Sequence, residues 1–270
     1  SNQFNYNSGY RDASGKMYFG SAKGMISFNP QRVLPEAYRP PLFITGFYIN
    51  EQELKPLQAA KEMVQVYSDW NEFFTERTQQ RLELSAVMGL FGELFALHQK
   101  LEESDATLVN DQLRSWTGPY GRGHDFVYET VDIEIKTIEC TKTDVLISSE
   151  HQLEPESGKE LLLKVFKAEI NGENGLCLSE LITNVRNIIT AKLGDLPLFL
   201  RSLQKAGVPV HEAKEYDQYT FCIKQELCFD CNLEGFPRLT KSNIPTAVNT
   251  LRYKLKTGLL TDYLIEQKQY

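Results

Sequence analysis

The run His124-Asp-Phe-Val-Tyr-Glu-Thr-Val-Asp-Ile-Glu-Ile-Lys136 decides how this chain is read. From Val131 apolar and polar residues alternate until Thr137. A strand has a period of two, so Val131, Ile133 and Ile135 share one face and Asp132, Glu134 and Lys136 the other. A carboxylate and an ammonium thus project into the same space. The preceding run, His124 to Glu129, is close enough to pair with this strand as an antiparallel hairpin. A two-residue connection at Glu129-Thr130 places Asp125 across from Glu134. Any register slip that keeps the parity leaves two carboxylates and one lysine together.

That grouping suits hydrolysis of a phosphodiester. The carboxylates of Asp125 and Glu134 and the backbone carbonyl of Ile135 are hard oxygen ligands of the kind Mg²⁺ (or Mn²⁺) accepts while keeping several waters. Such a cation activates water and offsets charge on phosphate oxygens. A neighbouring Lys136 orients the nucleophile and neutralises developing charge. Taken alone, alternating charge on an amphipathic strand is most often a solvated face. The rest of the chain has to separate the two.

Upstream, Ala59 to about Thr78 carries Met63, Val66, Trp70 and Phe73 at helical spacing. Ser85 is placed to cap a second helix running to about Leu101. Within that helix Glu93 interrupts the apolar segment Val87 to Leu97, so its carboxylate needs a partner or an exposed position. Gly89 and Gly92 lower helix propensity there and point to close backbone approach. Trp116-Thr-Gly-Pro-Tyr-Gly-Arg-Gly123 is a glycine-rich loop. Strands are expected near 124–129, 131–139, 143–149 and 160–169, helices near 179–193 and 197–206, and mostly strands thereafter. This order defines an α/β or α+β domain.

With these elements in place, Asp125-x8-Glu134-Ile-Lys136 resembles the bipartite signature of the PD-(D/E)XK nuclease superfamily. The surroundings are similar to a bacterial family of PD-(D/E)XK members through Gly89-Leu-Phe-Gly-Glu-Leu94, Trp116-x-Gly118-Pro119, Asp125-Phe126, Ile147-Ser-Ser149 with Gln152-Leu153, Phe236-Pro-Arg-Leu239 and Tyr253-x-Leu255. The resemblance covers residues 57–270. It implies a restriction-endonuclease-like core with a central mixed sheet flanked by helices. It also implies a metal-dependent DNA endonuclease serving restriction or another defence against foreign DNA. Asp125, Glu134 and Lys136 are then the catalytic core, Glu93 on the first core helix assists the metal, and Gln152 contacts the scissile phosphate or the attacking water. Ser149, His124 and Arg122 are further phosphate contacts, with Arg114 and Lys142 nearby in sequence. His124 stands where the superfamily has proline. A homodimer or other defence-system subunits would supply a second cutting site. A catalytically silent nuclease fold, acting as a DNA-binding or assembly module, is the alternative from another class.

Residues 1–56 differ in texture. Met17-Tyr-Phe-Gly20 and Gly24-Met-Ile-Ser-Phe28 read as a β-hairpin, and Leu42 to Ile49 as another strand. The segment resembles the last propeller blade of Bacteroides-type hybrid two-component sensors, through Gly15-Lys-Met-Tyr-Phe-Gly20, Phe28-Asn-Pro30 and Pro40-Pro41. One partial blade does not close a propeller, so a β-rich appendage is expected rather than a working sensor.

Bulk properties agree with a globular chain of 270 residues, 41% hydrophobic and 24% charged. The formal charge of −7 opposes non-specific polyanion binding, although a basic stripe can sit on an acidic body. Five cysteines, an odd number, favour a reducing, cytoplasmic setting. Cys228-x-x-Cys231 reads as a strand with buried thiols rather than a zinc site. No apolar stretch reaches the roughly 18 residues a membrane span needs, so no membrane partner is expected.

Overall fold

The structure, a computed structural model, describes residues 4–21, 24–30, 47–49, 52–54, 81–248 and 250–270. The chain divides into two compact units, Ser1–Pro56 and Leu57–Tyr270. In the first, β1 (Phe4–Arg11), β2 (Met17–Ser21) and β3 (Gly24–Phe28) form an antiparallel meander, while β4 (Phe47–Ile49) pairs with β5 (Gln52–Leu54). Asp12 organises the β1–β2 turn by accepting bonds from the Ser14 and Lys16 amides. The predicted β2–β3 hairpin is present. The helix predicted at 59–78 and residues 42–46 of the predicted strand lie outside the described residues.

The second unit begins its described part with helix α1 (Leu84–Glu103) and the short α2 (Val109–Ser115). Ser85 is not the cap of α1. The N-cap is Glu83, and it makes no side-chain capping bond. Strands β6 (Phe126–Val127) and β7 (Val131–Glu139) follow, then β8 (Asp144–Ile147), β9 (Glu160–Ile170) and β10 (Leu176–Cys177). Helices α3 (Leu178–Ala191) and α4 (Leu196–Lys205) precede β11 (Thr220–Asp230), β12 (Tyr253–Lys256) and β13 (Leu264–Gln269). The main sheet runs β10-β11-β9-β7-β6, with β13 also paired to β11. The β7–β9 pair is parallel, and the others in this sheet are antiparallel. The domain is therefore α+β, with a central mixed sheet flanked by helices.

Two hydrophobic cores sandwich this sheet. Ile133, Ile135 and Phe166 face α1 and α3 with Val87, Leu94, Leu181 and Val185. Ile138, Leu161, Leu163 and Val165 face the other way, toward Val145, Ile147 and Leu255 of the β8–β12 ribbon. The alternation along β7 is thus real, but neither face is solvated. Asp132 and Glu134 are buried beside Ile138 on the ribbon side. A parity change in β11 has a local cause. A register shift between Ile223 and Gln225 sends Phe221 and Ile223 to the helical core and Leu227 and Phe229 to the opposite one, as an extra residue in one strand must.

Gly92 fixes how closely α1 approaches the sheet. A Cβ there would sit 1.8 Å from the Thr137 hydroxyl. Gly89 has open space around its missing Cβ, so the close approach expected of both glycines belongs to Gly92 alone. The thiols of Cys228 and Cys231 are buried and unbridged, and desolvation raises the Cys228 thiol to about 11.

Candidate functional site

The β6–β7 hairpin places the first carboxylate. Phe126 pairs with Ile133 and Val127 with Asp132, while the Tyr128 amide donates to the Val131 carbonyl at 3.0 Å. This is the register of a two-residue connection at Glu129-Thr130, and its continuation sets Asp125 opposite Glu134. The Asp125 backbone is anchored as well. Its carbonyl accepts from the Thr117 and Gly118 amides at 2.8 and 3.0 Å. One carboxylate oxygen, Oδ2, accepts from the Ile135 amide at 2.7 Å.

Glu134 is 2% exposed, and the Lys136 ammonium lies 2.8 Å from its Oε1. Glu93 reaches in from α1, and its Oε2 accepts from the Trp116 indole N–H at 2.8 Å. The partner that the sequence demanded for Glu93 is thus an indole. Gly118 completes the arrangement, because a Cβ there would sit 2.4 Å from Glu93 Oε2 and 2.9 Å from Asp125 Oδ1. Three acids and one lysine therefore converge around a space that only glycine leaves open.

Electrostatics follow from that crowding. Desolvation first, then the charge of Asp125, pushes Glu134 up to about 8 against the opposing pull of Lys136. Desolvation followed by Asp125 also raises Glu93 well above the carboxylate range, although the Trp116 bond favours its anion. Asp125 moves up too, by desolvation, with the Ile135 amide and Lys136 working against the shift.

A stability consequence can be signed. Folded Glu134 holds its proton more tightly than an unfolded glutamate near 4.5. Between pH 4.5 and 8 the folded state therefore binds more protons, and its stability falls as pH rises through that window. In a chelator, Tm should drop from pH 5.5 to 8.5, and Glu134→Gln should flatten that drop. An equal slope in both proteins would remove Glu134 as its source.

Asp125 and Glu134 stand in the wall of a cavity of about 710 Å³, together with Gly118, Arg122, His124, Ser149, His151 and Gln152. Arg122 is exposed there and Ser149 half-buried. Gln152 accepts from the Ser148 amide through Oε1 at 2.7 Å, which fixes its side chain and leaves the NH₂ as its donor. His124 is 3% exposed with Nδ1 3.4 Å from Asp132 Oδ2, and Lys159 approaches Asp132 Oδ1 at 3.1 Å. Arg114 and Lys142 are not brought into the cavity wall. They pair with Asp111 and Glu139 at 3.1 and 2.7 Å. Sequence reasoning missed Asp132 as the partner of His124 and Lys159. The signal was a strand whose polar residues were all ionisable, which on a sheet covered on both faces demands counter-charges.

The residues present fit a divalent cation of the Mg²⁺ class. Among the described residues no three His, Cys, Asp or Glu side chains form a ready-made metal cage. Mg²⁺ does not need one, because it keeps several waters and takes one or two carboxylates. The opening beside Gly118 and the shortage of positive charge around Glu93, Asp125 and Glu134 are what such an ion answers.

Sheet, flanking helices and the Asp…Glu-x-Lys set together define a PD-(D/E)XK-like domain. Residues 48–258 match the model of a family described as "Putative PD-(D/E)XK family member, (DUF4420)", and the chain belongs to that family. Neither the curated proteins nor the solved structures contain a match. Among the described residues no helix is long and apolar enough to cross a membrane.

Proposed function

We propose that this protein is a metal-dependent DNA endonuclease that hydrolyses phosphodiester bonds in restriction or anti-phage defence in the cytoplasm. The observation that carries this reading is the convergence of Glu93, Asp125, Glu134 and Lys136, with Asp125 and Glu134 in the wall of a cavity. Asp125, Glu134 and the Ile135 carbonyl would hold Mg²⁺ or Mn²⁺, with Glu93 directly or through water. When bound, the cation lowers the pKa of water and offsets phosphate charge.

The chain's own groups do the rest. Asp125 is held in place by the Ile135 amide, so its second oxygen faces the opening by Gly118. The Lys136 ammonium orients the attacking water and balances charge on the phosphate in flight. Gln152, Ser149 and Arg122 line the cavity where the scissile phosphate would lie and offer it donors. His124, packed on Asp132, backs Asp125 and steadies the loop that carries it. Cutting both strands requires two such sites, supplied by a second copy of the chain or another subunit.

The test is cleavage of plasmid and linear DNA with Mg²⁺ or Mn²⁺, comparing the wild type with Lys136→Ala. A loss of about 10²–10⁴-fold is expected, the usual contribution of a group that moves or orients a proton. Equal rates in the two proteins would sink the mechanism. No cleavage by either, with DNA still bound, would select the silent binding module instead.

A further inference from the structure

The acidic chain contains one stretch of opposite character. From Gly235 to Thr261 there is no Asp or Glu, and five cations fall within it: Arg238, Lys241, Arg252, Lys254 and Lys256. Two of them, Lys254 and Lys256, belong to the short strand β12, and Arg252 immediately precedes it. Along Arg252-Tyr-Lys-Leu-Lys256, Leu255 is buried and Tyr253 half-buried, while Arg252, Lys254 and Lys256 are all exposed. The period of two that packs Leu255 against the ribbon-side core therefore puts Lys254 and Lys256 on the outer face, and the exposed Arg252 just before the strand extends the row.

The row has a usable spacing and direction. Side chains two apart on a strand recur about every 6.7 Å, on the scale of the separation between neighbouring phosphates along one strand of a duplex. Tyr253 pairs with Ile147, and the β8 strand then leads directly into Ser149 and Gln152 of the cavity wall. The Arg252 end of the row thus lies beside the strand end that enters the site, and the row runs outward from there for about 13 Å. Among the described residues neither Arg252 nor Lys256 has an acidic partner. Lys254 pairs with Asp144 at 3.0 Å, with the lysine side chain 67% exposed. An exposed pair of that kind holds weakly and exchanges readily for a phosphate.

We infer that β12 is a backbone-tracking surface for double-stranded DNA, with Arg252, Lys254 and Lys256 each taking a phosphate as the duplex leaves the cavity. The inference rests on the nuclease reading of the neighbouring site and adds to it the face along which substrate lies. Phosphate contacts of this type set register and affinity without reading sequence.

Fluorescence anisotropy with a labelled duplex of about 30 base pairs, in chelator and across a salt series, tests it. The variant Arg252→Gln/Lys254→Gln/Lys256→Gln should keep its Tm, lose at least about tenfold in affinity at 0.1 M salt, and show a log–log salt slope shallower by about 2.7, for three phosphates. Should the triple variant fold poorly, Lys256→Gln alone should reduce the slope by about 0.9. An unchanged slope, or tighter binding of wild type to anionic phosphatidylserine vesicles than to duplex, would overturn the inference. Lys136→Ala serves as the separate control. If it cleaves like wild type the site assignment falls, while the slope difference still reports on β12 alone.

Discussion

Glu134→Gln should abolish cleavage and, in chelator at pH 8.5, raise Tm. The two effects share one cause. Glu134 is buried, lies opposite Asp125, and is raised to about 8 because its charge is poorly tolerated there. Glutamine keeps the shape and removes that charge, so the metal-free fold is relieved of repulsion. Each kcal/mol relieved corresponds to roughly 2–4 °C in Tm for a domain of this size. The same change removes an anionic oxygen from the proposed metal ligands, and cleavage should fall by about 10³-fold or more, as for loss of a main electrostatic contributor. The opposition of stability and activity separates this reading from a structural role. A purely structural Glu134 would show Tm and rate falling together, which thermal melts and a plasmid assay would reveal. Strain stored at a working site in this way is a common compromise.

Gly92→Ala should be the most destabilising small substitution in the described core. Its new Cβ would meet Thr137 Oγ1 at 1.8 Å and Thr137 Cβ at 3.1 Å. Thr137 is short, β-branched and stiff at χ1, and it sits on β7 paired with Phe166 of the central strand β9, so it cannot swing aside. Helix α1 must lift from the sheet, and Leu94 and Phe91 lose packing with it. Overpacking of this kind costs about 3 kcal/mol, or about 6–12 °C in Tm. Because Glu93 is the next residue, activity should fall further than stability predicts. The matching change Gly89→Ala, at a position with open space, should be neutral or slightly stabilising through helix propensity. Equal melting temperatures for the two variants would show that Gly92 does not set the helix–sheet distance.

How far the molecule could be read without coordinates depends on the range of the forces involved. Whereas the exact hairpin register at Glu129-Thr130, an unfavoured turn sequence, came from the structure, the parity of β7 and the approximate spans of α1, α3 and α4 are local. They follow from side-chain period and chain connectivity, and ordered motifs around them pointed to the family. Glu93 was legible as an acid in need of a partner. Its partner Trp116, 23 residues away in sequence, was not, because only packing brings that indole to the carboxylate.

Tertiary structure alone decided the rest. The polar face of β7 is buried because the ribbon of β8 with the distant β12 covers it, which makes Asp132 the partner of His124 and Lys159. The bulge after Ile223 reverses the parity of β11, and no periodicity in sequence announces a single extra residue. The raised acidities of Glu93 and Glu134 come from desolvation and mutual charge, and both depend on what lies within a few ångströms in space. Sequence by itself determined the family to which this chain belongs and the strand on which its Glu-x-Lys pair stands. Packing decided that the chemistry is enclosed, because burial is a property of the neighbours and a strand does not encode its own cover.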